Sequence, residues 1–227
     1  MRFSLYLIFG GLFAIAIMAA AHFWLGTYLD PDSNAQRTAN SEPISVTVGD
    51  TGLRVPQNVI RFRNQRTSEL QERLDLHMHW PTLEGYSQDR SEAFEQETTD
   101  RRILFLTIEA AENQASGQRK LQGLYRRFFK GKPWRGPGGL IGQQLDPASG
   151  FGTEDLFYGR DAQGDIFVTR CLRDEAAAES KVLPTCLYDY PVSSSLSATV
   201  RFDRGLLEDW QDLSEKLKRR TMGFLEK

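Results

Sequence analysis

Two histidines and an aspartate occupy alternate positions in one short segment, as Asp75, His77 and His79. Alternate side chains of a β-strand point to the same face, so two imidazoles and a carboxylate would stand together. Such groups bind zinc when three or four of them meet at good geometry. The sequence offers no fourth ligand and no second metal motif. We therefore favour a solvated polar strand face here, and we predict no bound metal and no cofactor.

A second candidate site is the basic stretch from Arg119 to Arg135, which contains seven cations, no acid and several interleaved aromatic residues. A surface of this composition can bind anionic lipid headgroups, an acidic glycan or the acidic face of a protein. The alternative is the polar side of an amphipathic helix whose aromatic side chains are buried. The residues that we predict to form the binding surface are Arg126, Arg127, Lys130, Lys132, Trp134 and Arg135.

The sequence lacks the local signatures of several enzyme classes, because it contains no G-x-S-x-G, H-E-x-x-H or G-x-x-x-x-G-K-[ST] motif. Its formal net charge of −2 and pI near 6.0 argue against nucleic acid as a partner. Hydrolysis by a pair of carboxylates needs no fixed sequence spacing, and it stays open as an alternative.

The chain has two cysteines, Cys171 and Cys186, each in a segment with strand character. A charged, alanine-rich connection separates the two segments. A disulfide across it would close a loop of about 15 residues, worth roughly 3 kcal/mol in the entropic model. An oxidising compartment favours this bond over two buried free thiols. We predict a Cys171–Cys186 disulfide.

The first residues of the chain form an uncharged apolar segment at 3–26. Its length suits a helix that crosses a bilayer core of about 30 Å. A signal peptide cleaved after Ala21 is the alternative, but the apolar run continues past that site through Trp24. Arg2 precedes the segment, and Asp30 and Asp32 follow it. We predict a cytoplasmic stub (1–2), an uncleaved transmembrane helix (3–26), a linker (27–43) and a periplasmic domain (44–227), held at the inner membrane.

Hydrophobic patterning predicts the elements of that domain. The predicted strands are Ile44–Val48, Leu53–Val55, Val59–Arg63, Arg73–Trp80, Ile103–Ile108, and residues 140–145, 156–158, 166–172, 186–190 and 196–202. A polar stretch at 84–100 predicts an exposed excursion. Helical spacing predicts an inserted helix at 116–129 and a final helix at 206–225, capped by Asp203. The expected fold is α+β: after an N-terminal transmembrane helix, a mostly antiparallel sheet with one inserted and one C-terminal helix.

The chain resembles a group of uncharacterised, single-pass envelope proteins of alphaproteobacteria. The resemblance covers most of the predicted exterior domain, and it implies a compartment and an architecture but no activity. The motifs that carry it are Leu53–Arg63, Glu72–Leu76, Trp80-Pro81, Gly85–Ser87, Gly136–Leu140 and the two cysteines.

Two functions are consistent with these features. The leading hypothesis is a non-enzymatic inner-membrane protein whose periplasmic domain binds another envelope component, which could be a protein, an anionic lipid or a glycan. The bilayer itself would be a partner through residues 3–26. The alternative is a membrane-tethered periplasmic hydrolase or glycan-processing enzyme. A deep cleft at Asp75, His77 and His79 would favour the enzyme, and a flat basic aromatic surface would favour the binding protein.

Overall fold

The computed structural model describes residues 37–95, 100–111 and 115–226. Residues from Arg37 onward form one compact unit. Within the described ranges, no helix is long and apolar enough to cross a membrane. The predicted stub, transmembrane helix and cleavage site, and the linker up to residue 36, lie outside those ranges.

The described residues contain eleven strands. In chain order they are β1 (Pro43–Val48), β2 (Thr51–Pro56), β3 (Leu70–Gln71), β4 (Arg73–His79), β5 (Ile103–Ala110), β6 (Phe129–Arg135), β7 (Ile141–Leu145), β8 (Glu154–Arg160), β9 (Ile166–Leu172), β10 (Thr185–Pro191) and β11 (Leu196–Asp203). Eight of them form one sheet in the order β4-β5-β11-β10-β9-β8-β7-β6, and every neighbouring pair in it is antiparallel. A smaller sheet has the order β2-β1-β3, in which β1 and β3 run parallel.

Within the described ranges, four α-helical segments accompany the sheets: α1 (Ser91–Glu95), α2 (Gly117–Arg119), α3 (Asp174–Ser180) and α4 (Trp210–Met222). The predicted inserted helix is present but irregular. It begins as α2, continues as a π-helix over Lys120–Tyr125, and ends as a 3-10 turn over Arg126–Phe128. Asp203 caps a 3-10 turn at Arg204–Asp209 that leads into α4, so the predicted final helix at 206–225 is α-helical only over Trp210–Met222. The fold is therefore α+β with a mostly antiparallel sheet and a C-terminal helix, as predicted.

Helix α4 packs on one face of the large sheet. Its buried residues recur at helical spacing, as Trp210, Leu213, Ser214, Leu217 and Thr221. Two buried phenols of β10 hydrogen-bond to the helix: the hydroxyls of Tyr188 and Ser214 are 3.2 Å apart, and those of Tyr190 and Thr221 are 3.3 Å apart. Because a buried hydroxyl without a partner is costly, these pairs fix where the helix lies on the sheet.

A second, smaller core lies on the opposite face of the sheet. Leu145, Leu156 and Val168, from β7, β8 and β9, pack there against Tyr125 of the irregular helix. This explains the amphipathic pattern that predicted the helix, because its aromatic side covers the β7–β9 end of the sheet on the face opposite α4.

Three sequence predictions need correction. Residues 59–63 are not a strand, because 3-10 turns at Gln57–Val59 and Arg63–Gln65 bend the chain and leave a single bridge from Ile60 to Leu76. The stretch at 84–100 is not simply exposed, since Phe94 is fully buried on the sheet. The chain after the inserted helix forms strand β6, where the hydrophobic pattern predicted no strand.

Candidate functional site

The Asp75, His77 and His79 segment does not form a solvated polar face. Both histidines are buried, and the ring of His77 packs edge-on against Phe94 of α1 at 4.8 Å between centroids. The sequence indicated an exposed face because only one side of the strand is apolar. The structure places a second layer, residues 84–95, over the polar side.

The carboxylate of Asp75 is engaged in structural contacts rather than directed at the histidines. It accepts hydrogen bonds from Thr107 at 2.8 Å, from Gln65 at 3.0 Å and from Arg73 at 3.0 Å. Among the residues that the structure describes, no three His, Cys, Asp or Glu side chains are grouped to hold a metal ion. His79 borders an open depression of about 450 Å³, which Asp75 and His77 do not line. These three residues therefore do not converge on one cleft.

Cys171 and Cys186 form the predicted disulfide. They are direct partners in the register of β9 and β10, and both are fully buried. The alanine-rich connection between them contains α3. Spacing alone could not reveal the cross-strand register, but two strand-like segments joined by a short connection were enough to predict the bond.

The predicted basic residues meet at the far edge of the large sheet. We call Arg126, Arg127, Lys130, Lys132, Trp134 and Arg135 the basic edge. Arg126 and Arg127 lie in the 3-10 turn that leads into β6, and the other four lie on β6 itself. All six side chains are exposed. The opposite edge strand, β4, differs because neighbouring segments cover it, through the bridges Ile60–Leu76 and His79–Glu84.

The five cations of the basic edge have no carboxylate partner within residues 37–95, 100–111 and 115–226. Lys120, in the same basic stretch, differs, because its ammonium group binds Asp189 at 2.6 Å. The Arg127 guanidinium lies 4.7 Å from the ring centre of Phe128. Five positive charges within ten residues are therefore concentrated on one rim of a chain whose net charge is −2.

Trp134 is held in place although its side chain is 39% exposed. It faces Gly142 across the β6–β7 pair, and a Cβ atom at Gly142 would overlap the indole ring. Phe157 on β8 contacts it edge-on, with ring centroids 6.1 Å apart. The indole is therefore packed on its inner side by glycine and phenylalanine, and open on its outer side.

A buried glutamine supports the irregular middle of β6. The register with β7 shifts between Lys130 and Trp134, and Gly131 has a φ of +70° there. Gln143 of β7 fills the gap, because its side-chain amide donates to the carbonyl of Lys130 at 2.7 Å and to that of Gln144 at 3.2 Å. This amide replaces backbone hydrogen bonds that the bulge removes.

The turn that joins β6 to β7 is anchored to the C-terminal helix. The indole N–H of Trp210 donates to the carbonyl of Gly138 at 3.1 Å, and the Gly138 amide donates to Glu208 at 2.8 Å. Gly138 has a φ of +55°, a conformation that suits glycine. This turn thus connects the basic edge rigidly to the main core.

Sequence reasoning missed three residues of this site. Ile141 pairs with Arg135 and is 42% exposed on the face opposite Trp134. Gly142 and Gln143 support the indole and the bulge. A Gly-Pro-Gly-Gly turn between two short segments with Trp134 and Ile141 was the available signal for a hairpin.

Comparisons with known proteins show the fold but no family. No protein-family model matches the sequence, and no curated protein matches it. A solved structure with a similar fold is Smlt3025, an immunity protein of the Stenotrophomonas maltophilia type IV secretion system, with a TM-score of 0.57, 15% identity, and coverage of 82% of this chain and 94% of that one. Another is FrpD, an iron-regulated outer membrane lipoprotein of Neisseria meningitidis, with a TM-score of 0.53, 11% identity, and coverage of 83% and 95%.

Proposed function

We propose that this chain is a non-enzymatic protein of the bacterial cell envelope that binds another protein through the basic edge. Residues 3–26 anchor it in the inner membrane with the N-terminus in the cytoplasm, and the domain from residue 44 onward lies in the periplasm.

The observation that carries this proposal is the basic edge itself. Five cations without carboxylate partners among the described residues lie along the same sheet edge as an indole that is packed on one side and open on the other. Tryptophan and arginine are the residue types that most often dominate the binding energy of protein interfaces. A rigid hairpin also loses little conformational freedom on binding, so more of the contact energy appears as affinity.

Three further observations support the compartment and the class of function. The Cys171–Cys186 bond suits an oxidising compartment such as the periplasm. The two similar folds belong to an immunity protein and to an outer membrane lipoprotein. Of the groups that would serve an enzyme, His77 packs beneath Phe94, His79 borders only an open depression, and Asp75 is hydrogen-bonded to three neighbours.

Charge reversal in the full-length protein tests the proposal. In the variant Arg126→Glu, Arg127→Glu, Lys130→Glu, the protein should fold normally, because exposed substitutions usually change stability by under about 0.5 kcal/mol. Chemical cross-linking in intact cells should then show loss of an adduct with a specific envelope protein. The same adduct should weaken with added salt, because exposed charges are screened over about 8 Å at physiological ionic strength.

A matched control changes the same amount of charge elsewhere. Arg54, Arg160 and Lys181 are exposed and lie outside the basic edge. Their triple replacement by glutamate should leave the adduct intact. Equal loss in both variants, or no loss in the first, would contradict binding at the basic edge.

A further inference from the structure

The basic edge presents its charges along a line rather than around a pocket. Lys130, Lys132 and Arg135 follow one another on β6. In the register with β7, Lys130 lies on the face of Trp134 and Arg135 on the face of Ile141, so cations border this edge on both faces of the sheet. With a rise of about 3.3 Å per residue, the strand from Lys130 to Arg135 spans roughly 16 Å. A small anion such as phosphate needs donors that converge on one point. A row of separate cations instead matches an extended chain that carries several carboxylates.

The backbone of β6 is poorly suited to pairing with an added strand. The amide of Phe129 already donates to the carbonyl of Arg126, and Pro133 has no amide hydrogen. The bulge at Gly131 interrupts the ladder between these two positions. Lysine, proline and bulges are features by which proteins prevent indiscriminate pairing at sheet edges. Recognition at this edge must therefore come from side chains.

Apolar groups flank the row of cations on both faces of the hairpin. Trp134 lies on the face that α4 covers, and Ile141 lies on the other face beside Tyr158, its partner in register on β8. The ring of Phe129 stacks on Tyr158 at 6.0 Å between centroids. A ligand at this edge thus meets an indole platform as well as charge.

From these observations we infer that the partner presents an extended acidic segment. Its carboxylates would bind Lys130, Lys132 and Arg135, and one apolar side chain would rest on the open side of Trp134. Contacts are made by side chains and not by strand addition. Charge complementarity favours an acidic segment here. The row of cations contains no acid, and its cations have no carboxylate partners in the described part of the chain. The inference rests on the proposed function and specifies the chemistry of the partner.

Synthetic peptides test this chemistry with the full-length protein in uncharged nanodiscs. The probe has glutamate at alternate positions, serine between them and one central leucine. Its comparison peptide carries glutamine in place of glutamate. We expect the glutamate peptide to bind about tenfold more tightly than the glutamine peptide at low salt. Three exposed ion pairs can together account for a difference of this size. The variant Lys130→Gln, Lys132→Gln, Arg135→Gln should remove that difference. Equal affinity of the two peptides would overturn the inference.

Two further probes test the mode of binding. A glutamate peptide methylated at its backbone nitrogens retains its side chains but cannot pair as a strand, so it should bind as well as the parent. A tenfold loss would instead show strand addition. Replacing the central leucine by glycine should weaken binding to the native protein severalfold and should have no effect with Trp134→Ala. Equal binding of both peptides to the native protein would contradict the role of the indole.

Anionic vesicles distinguish a lipid from a protein partner. Nanodisc-held protein should not associate with phosphatidylglycerol vesicles through Lys130, Lys132 and Arg135. Vesicle binding that the triple glutamine variant abolishes, without peptide binding, would overturn the inference in favour of lipid. If the peptides fail but the cellular adduct of the charge-reversal experiment remains at the basic edge, this inference alone falls and the proposed function stands.

Discussion

The indole of Trp134 occupies the space that a side chain at residue 142 would fill, so Gly142 is a requirement of the basic edge. The two residues are partners in the register of β6 and β7. The glycine lets a large aromatic ring lie against the sheet while its other side remains open. The position of the candidate binding residue thus depends on a neighbour that has no side chain.

Replacing Gly142 by alanine should displace Trp134. Overpacking of this kind typically costs about 1–3 kcal/mol, and urea unfolding would measure the loss. Acrylamide should quench the displaced indole more strongly, whereas Trp80 and Trp210 are buried and contribute little to the change. Gly123→Ala is the control, because a Cβ there meets no atom within 4 Å. If the two variants behaved alike, the close packing of Trp134 on Gly142 would be wrong.

Removing the disulfide should destabilise the domain. The bond closes a loop with a sequence separation of 15 residues. Replacing both Cys171 and Cys186 by alanine should therefore lower the free energy of unfolding by roughly 2–4 kcal/mol. In the native protein, neither thiol should react with an alkylating reagent until a reductant is added. Ready labelling of both thiols without reductant would refute the bond.

Protonation of His79 should lower the stability of the domain in mild acid. Burial is the main reason that the pKa of His79 lies below its usual 6.5, and the nearby Arg102 lowers it further. The unfolded state therefore binds the proton more tightly than the folded state. The contribution of His79 to the free energy of unfolding should be complete above pH 6.5. It should diminish as the pH falls through 6.5 towards the lower pKa that His79 has in the folded state.

Urea unfolding between about pH 8 and pH 5 would measure this effect. The variant His79→Gln should show a smaller decrease in stability over the same pH range. An unchanged slope in the variant would mean that other groups cause the acid sensitivity.

Membrane topology is a separate prediction, because the span at residues 3–26 lies outside the described residues. A reporter fused after Lys227 should be active in the periplasm, and the membrane fraction should contain protein of full mass. Recovery of a soluble product that begins at His22 would show a cleaved signal peptide instead.

The fold class was predictable because the strands and the last helix have strong periodicity. Leu74, Leu76 and Met78 alternate with polar residues, and Trp210, Leu213 and Leu217 recur at helical spacing. The burial of His77 was not predictable from the same pattern. Its cover, Phe94, belongs to a polar stretch, and one aromatic residue in such a stretch is a weak signal for packing.

The residue types of the candidate site were predictable from the sequence, but their arrangement in space was not. A cluster of cations with interleaved aromatic residues indicated a surface, and the predicted helix at 116–129 contained only its first part. Most of the cluster lies on β6, where Gly131 and Pro133 are residue types that are untypical of a strand. The long-range contacts that fix it, from Trp210 to Gly138 and from Gln143 to Lys130, depend on tertiary structure and leave no local pattern.

Photo-cross-linking from residue 134 tests the central claim most directly. A photoreactive amino acid in place of Trp134, in the full-length protein in cells, should give an adduct with a specific envelope protein. Reversal of charge at Lys130, Lys132 and Arg135 should abolish that adduct. The same reagent at Val182, an exposed apolar residue outside the basic edge, should not produce it. An adduct from Val182 but not from residue 134, or one from residue 134 that survives charge reversal, would contradict binding through the basic edge.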